Sequence, residues 1–394
     1  MPTKKTERKP GPEERPEPKA KGKAKPRPPV LAPARPTPKA PAKGKARTKG
    51  KAPALAPAPP SPAAPPEKKK RPKSAPPSPR APLTHPASAT PSAVAETTAV
   101  LEAPPRPPAK LPPRKAGVIT VAYSPDADDA FMLFAIATGK VDTEDRKYEL
   151  VRSDIQSLNE EAQRGTHDVT AISFGAYPHV MDKYVLLTCG GSFGDHVGPL
   201  LVAKTPVRAN EVDGLTVAVP GLLTTAALAL RLWLPRARLK LVSVPFDAIG
   251  AAVRAGKVRA GLIIHEGQLT FKSDGLVRVV DLGLWWGERT EGLPLPLGGN
   301  VVRRDVPAAD QTRIALDMKR SIAYALGHRE EALDFAMQFG RWLARDVVDR
   351  YVSMYVNELT LDYGERGRQS LTLLFDEAHR ARILPRRVVP EFIA

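Results

Sequence analysis

The chain has 394 residues with 60 Lys or Arg against 42 Asp or Glu, a formal charge of +18 that is unevenly spread. Residues 1–116 hold 27 Lys/Arg, 7 Asp/Glu and 32 of the 44 prolines, so the remaining 278 residues are close to neutral. Cys189 is the single cysteine, which excludes an intramolecular disulfide and a multi-cysteine metal site, and no apolar run reaches the ~18 residues of a membrane span.

Residues 1–116 alternate Lys or Arg with Pro and Ala, as in Lys68-Lys-Lys-Arg-Pro-Lys73. Almost no aromatic or β-branched side chains are present, so burial cannot offset the entropy of ordering, and a disordered tail is expected. Its charge suits a non-specific anionic partner, either nucleic acid or a membrane surface; a solubilising extension is the plainer reading. Met1–Lys25 has no apolar core of a signal peptide, so a cytoplasmic protein is expected.

From Gly117 the texture changes. Val118–Tyr123 reads as a strand, Ser124-Pro-Asp-Ala-Asp-Asp129 as a turn, and Ala130–Thr138 as an apolar helix stopped at Gly139. Lys147–Val151 reads as a strand, Ile155–Arg164 as an amphipathic helix stopped at Gly165, and Asp168–Ser173 as a third strand. Residues 215–264 repeat this βαβαβ plan, with strands at Leu215–Val219, Leu239–Val244 and Arg259–Ile264. Helices at Thr224–Trp233 and Phe246–Ala255 separate them. Gly165 and Gly256 each stand eight residues before Ser173 and Ile264, so Ser173 and His265 fall at nearly equivalent strand ends.

The glycine-rich Gly190–Gly198 lacks a P-loop ending and reads as a flexible loop over a cleft. Pro199–Lys204 and Pro294–Val301 read as two crossings between lobes, the pattern of a hinge. The division expected is a tail over 1–116, one lobe over 117–204 and 299–394, and a second over 205–298. Helices are expected over Thr312–Leu326, Glu330–Leu343, Val347–Val356 and Gly364–Ala381, with Trp342, Tyr351 and Tyr355 as core packing.

Ligands of open α/β sheets bind outside the carboxyl ends of strands, where Ala260-Gly-Leu-Ile-Ile-His-Glu266 ends. A histidine there can act as a base near neutral pH, its ordinary pKa being ~6.5, or can simply be a hydrogen-bonded core residue. Pro220-Gly-Leu-Leu-Thr-Thr225 opens a helix whose free N–H groups suit a carboxylate, while Asp126 and Asp128 read as helix-start acids that capping suffices to explain. His167, His179, His196 and His265 show no metal-ligand spacing, and no G-x-S-x-G elbow is present. The residues describe a proton-transfer or binding site for a small carboxylate, without sign of a redox centre.

Residues 117–394 resemble the menaquinone-biosynthesis family of the futalosine route. The resemblance is carried by Ser124-Pro, Asp129 with Phe131, Leu158-Asn159, Ser173, Val217-Ala-Val-Pro-Gly221, Thr224-Thr-Ala226, Gly261-Leu-Ile-Ile-His-Glu266 and Leu293-Pro-Leu-Pro-Leu-Gly298. It implies an α/β fold of the type-II periplasmic-binding-protein kind, with two βαβ lobes around a cleft. It also implies cleavage of cyclic dehypoxanthine futalosine to 1,4-dihydroxy-6-naphthoate with neither metal nor cofactor. By that analogy His265 is the proton acceptor, and Ala171, Ile172, Ser173, Thr224 and Thr225 contact substrate; Asn159 and Asp128 join them as candidates. Chorismate dehydration, the sister activity, and a non-catalytic intracellular solute-binding protein are the alternative readings.

Three departures concern the cleft. The family turn Ser-Pro-Cys-Pro-Asn-Asp is here Ser124-Pro-Asp-Ala-Asp-Asp129, Ala171 stands where a lysine is common, and Gly267 replaces a serine. Two added carboxylates and one lost cation make the pocket more acidic.

Overall fold

A computed structural model describes residues 111–339 and 343–393. Most of the basic tail, with its expected anionic partner, lies outside the described residues, as does Trp342. The elements run β1 Ile119–Tyr123, α1 Ala127–Ala137, β2 Tyr148–Arg152, α2 Ile155–Arg164, β3 Val169–Ser173, α3 Tyr177–Val180, β4 Tyr184–Leu187, β5 Ser192–Gly194 and β6 Leu200–Ala203. Next come β7 Thr216–Val219, α4 Thr225–Trp233, β8 Lys240–Ser243, α5 Phe246–Arg254, β9 Ala260–Ile263, α6 Gly267–Thr270, β10 Val277–Asp281, α7 Leu282–Arg289 and β11 Leu295–Arg303. The chain closes with α8 Ala308–Gly327, α9 Arg329–Ala336, α10 Arg345–Tyr355, α11 Glu358–Leu361, α12 Gly364–Arg380 and β12 Phe392–Ile393.

Two mixed sheets result. The larger has the order β12–β4–β11–β3–β1–β2, with β5 also on β11; the smaller has the order β10–β6–β9–β7–β8. Strands β1, β2 and β3 are parallel, as are β7, β8 and β9. Each parallel trio therefore presents its carboxyl ends at one edge of its sheet. The chain passes between sheets at β6, antiparallel to β9, and returns at β11, antiparallel to β3.

Local chemistry explains the element ends. Asp154 caps α2 by accepting from the N–H groups of Gln156 and Ser157, and Gly165 ends it at φ +69°, a left-handed geometry that glycine adopts freely. Helix α1 begins three residues earlier than the apolar run predicts, because Ala127, Asp128 and Asp129 complete its first turn. Apolar faces of α1, α8, α9 and α10 pack on the larger sheet around Phe131, Met318 and Val352. The expected helix over Glu330–Leu343 is shorter, since α9 gives way to a 3-10 turn at Met337–Phe339. No helix among the described residues is long and apolar enough to cross a membrane.

Gly190–Gly198 corrects an expectation. It is not loop throughout: Ser192–Gly194 is strand β5. The Gly190 N–H donates to the Thr360 carbonyl at 2.7 Å, and its own carbonyl accepts from Asn300 Nδ2 at 3.0 Å. The glycines permit close approach, for a Cβ on Gly194 would collide with the Val197 carbonyl and one on Gly198 with the Gly283 backbone.

Folded contacts begin before the shift in composition at Gly117. Arg114 Nε donates to the buried Asp168 carboxylate at 2.7 Å, and the Pro112 carbonyl accepts from the buried Arg303 guanidinium at 2.7 Å.

Candidate active site

The carboxyl ends of β1, β3 and β9, with the N-terminus of α4, surround one cavity that both Ser173 and His265 line. Ala171, Ile172, Thr224, Thr225 and Asp128 line it as well, and Asn159 does not.

His265 stands just beyond β9 with φ +59°. Left-handed backbone is uncommon outside glycine, although histidine tolerates it better than branched residues, and such a conformation costs about 1–3 kcal/mol. The turn is held by surrounding contacts. The imidazole packs edge-on against Phe246 at 4.7 Å, and its Nδ1 lies 3.2 Å from Asp126 Oδ2 and 3.3 Å from Tyr351 Oη. The histidine side chain keeps 13% of its surface exposed, so it is reachable from the cavity.

Ser173 ends β3. Its N–H donates to Asn159 Oδ1 at 2.8 Å, and its Oγ accepts from Asn159 Nδ2 at 3.2 Å. Asn159 is wholly buried and holds Ser173 with both ends of its amide, so its place is behind Ser173 and outside the cavity lining. Because Asn159 fills an acceptor position on Ser173, the serine hydroxyl proton is left to donate into the cavity.

Thr224 caps α4: its hydroxyl accepts from the Ala227 N–H at 3.2 Å and donates to the Gly221 carbonyl at 2.7 Å. The Thr225 hydroxyl accepts from the Gly175 N–H at 2.9 Å and donates to the Leu297 carbonyl at 2.5 Å. Both hydroxyl protons are thus committed to backbone. What α4 offers a ligand is its positive end, where the N–H groups of Thr225 and Ala226 have no carbonyl partner within the helix.

Part of the lining is acidic. Asp126 occupies the N-cap position of α1, yet its side chain makes no cap bond; the Ser124 hydroxyl donates to it and it faces His265. Capping therefore does not account for Asp126, contrary to the expectation from sequence. Asp128 Oδ2 accepts from Ser192 Oγ at 3.3 Å, and Asp129 Oδ2 from the Ser124 N–H at 2.8 Å. Burial, reinforced by the neighbouring carboxylates, holds Asp128 well above the ordinary carboxylate range. Burial likewise raises Asp129 to about 7, against the lowering effect of its Ser124 hydrogen bonds.

Tyr351 and Tyr355 of α10 also line the cavity, with Tyr355 Oη donating to Gln268 Oε1 at 2.8 Å. Burial pushes both phenols up, so they remain protonated donors. Both are buried as expected of core packing, but they face the site. Their helical spacing carried no signal of that, and neither did Gln268, Ser192 or the contact of Gln156 Oε1 with the Leu223 N–H at 3.4 Å. Among the described residues, no group of three or more His, Cys, Asp or Glu is arranged to hold a metal ion.

A family profile described as menaquinone biosynthesis matches residues 119–380. A 1,4-dihydroxy-6-naphthoate synthase from Thermus thermophilus is 43% identical over 260 residues, 66% of this chain and 93% of that protein. This chain belongs to the menaquinone-biosynthesis family. A second such synthase, from Streptomyces coelicolor, is 36% identical over 68% of this chain and 96% of its own length. Among solved structures, protein AF1704 from Archaeoglobus fulgidus is 42% identical with a TM-score of 0.65, covering 69% of this chain and all of its own. A Candida albicans protein with the generic periplasmic binding protein fold, CA3427, covers 69% of this chain and 92% of its own at 12% identity and a TM-score of 0.55. That likeness shows the fold: the family member described here has the periplasmic-binding-protein architecture, with a role in menaquinone biosynthesis.

Proposed function

We propose that this protein is a carbon–carbon lyase that converts cyclic dehypoxanthine futalosine to 1,4-dihydroxy-6-naphthoate, with His265 as general base. The observation that carries the reading is His265 itself, aimed into the cavity of a chain that spans 93% of a protein named for that product. The neutral imidazole takes a proton from the substrate, a carbon–carbon bond breaks, and formation of the aromatic naphthalene drives the step forward. A positioned base contributes ~10²–10⁴-fold, so the walls must also orient the substrate.

The substrate is a small carboxylate, and no lysine or arginine among the described residues lines the cavity. Its anionic group is held by the Ser173 hydroxyl and the α4 N-terminus. Ala171 and Ile172 supply the apolar wall beside it. A cytoplasmic location is proposed with this activity.

The test is incubation of the purified chain with cyclic dehypoxanthine futalosine, followed by mass spectrometry. Dihydroxynaphthoate is the expected product. Consumption of chorismate in its place would move the chain to the sister reaction. Tight binding without turnover of either compound would make it a solute-binding protein.

A further inference from the structure

Asp126 and His265 reach one another from different sheets. Asp126 follows β1 of the larger sheet, and His265 follows β9 of the smaller. Asp126 is 2% exposed, and its Oδ2 lies 3.2 Å from the imidazole Nδ1.

The chemistry at Nδ1 is constrained. An unprotonated Nδ1 would set its lone pair against carboxylate oxygen, whereas Nδ1–H donates to it. The second neighbour, Tyr351 Oη at 3.3 Å, belongs to a phenol that burial and the carboxylates of Asp128, Asp126 and Glu266 keep neutral. An ionised carboxylate is the stronger acceptor of the two.

We propose that Asp126 is a positioning residue for His265, fixing the Nδ1–H tautomer so that Nε2 carries the lone pair that takes the substrate proton, and stabilising the imidazolium that forms. The inference rests on the reading of His265 as the base. It adds that the base is complete only when the two sheets stand in this arrangement, since each contributes one member of the pair.

Other titratable groups face the histidine. Asp128 and Asp129 come from α1, Tyr351 and Tyr355 from α10, and Glu266 is its chain neighbour. Asp247, Arg254 and Asp274 surround an adjoining depression that His265 also lines. The experiment must therefore change Asp126 alone.

Asp126→Asn removes the charge and keeps an oxygen able to accept Nδ1–H. Nitrogen-15 imidazole NMR of the full chain, with the His265 signal assigned by its loss in His265→Gln, reads the tautomer directly. In the wild type the neutral ring is expected to carry its proton on Nδ1. In Asp126→Asn the charge that stabilises the imidazolium is gone, so kcat falls about tenfold or more while KM changes about twofold or less.

A wild-type ring protonated on Nε2, or an unchanged kcat in Asp126→Asn, overturns the proposal. A ring protonated on Nδ1 together with full activity in His265→Gln keeps the Asp126–His265 pair and discards His265 as the base. The tautomer is read on the wild type alone, so the test survives a variant that fails to fold.

Discussion

Replacing Asn159 by alanine should weaken both the fold and the site, although Asn159 does not line the cavity. The Ser173 N–H, now bonded at 2.8 Å, would be left buried without its acceptor, at about 1–3 kcal/mol. Loss of the 3.2 Å bond to Ser173 Oγ adds roughly 0.5–1.5 kcal/mol. The total of about 3 kcal/mol should lower Tm by roughly 6–12 °C, at about 2–4 °C per kcal/mol in a domain of this size. Catalysis should suffer separately, because Ser173 loses the partner that turns its hydroxyl proton toward the cavity. Ser173→Ala removes the donor itself, so a double-mutant cycle on kcat/KM should show the second change costing little after the first. The assays are urea or thermal unfolding and steady-state kinetics on the four proteins. Wild-type stability in Asn159→Ala, or full additivity of the two changes in kcat/KM, would refute the argument.

Asp129 gives a pH prediction. Its carboxyl is raised to about 7 in the folded protein, so the fold binds its proton more tightly than the unfolded chain does. Stability from this group is present below pH ~4 and is lost as pH rises toward ~7, by roughly 4 kcal/mol at most; Asp129→Asn should flatten that slope in urea titrations between those values. Cys189 is buried with its thiol pushed up to about 12 by desolvation, so iodoacetamide should leave the native protein unmodified and label it once urea unfolds it. Arg114→Ala in the full chain should cost about 1–3 kcal/mol by leaving the buried Asp168 with only its Thr120 partners. A cut before Gly117 should cost more than a cut before Leu111, which differential scanning calorimetry of the two truncations would register. Gly283→Ala should destabilise by several kcal/mol or prevent folding, since its Cβ would collide with the Val197 carbonyl; soluble yield and Tm report this.

Much of the fold was legible because its signals are local. Helix α2 runs over Ile155–Arg164 and stops at Gly165 as expected, and the apolar runs before Ser173 and His265 are strands whose ends meet at one cavity. Contacts between distant segments were not legible. Nothing near Tyr351 or Tyr355 in sequence says that α10 turns them toward His265, and Asp126 reads as a cap until the smaller sheet brings the imidazole to it. Gly190–Gly198 misled for a related reason. Glycine serves flexible loops and tight backbone approaches equally, and here the approaches to Val197 and Gly283 decide. Asn159 stands behind Ser173 and outside the cavity lining, because spacing gives the face of a helix and not which side of a strand's wall that face touches.

The central claim is that His265 is the base in cleavage of cyclic dehypoxanthine futalosine. The measurement that tests it most directly is the single-turnover rate of dihydroxynaphthoate formation by the wild type and by His265→Ala, at equal and saturating substrate. The account predicts product from the wild type and a loss of about 10²-fold or more in the variant, with substrate still bound. Equal rates in the two proteins would contradict it.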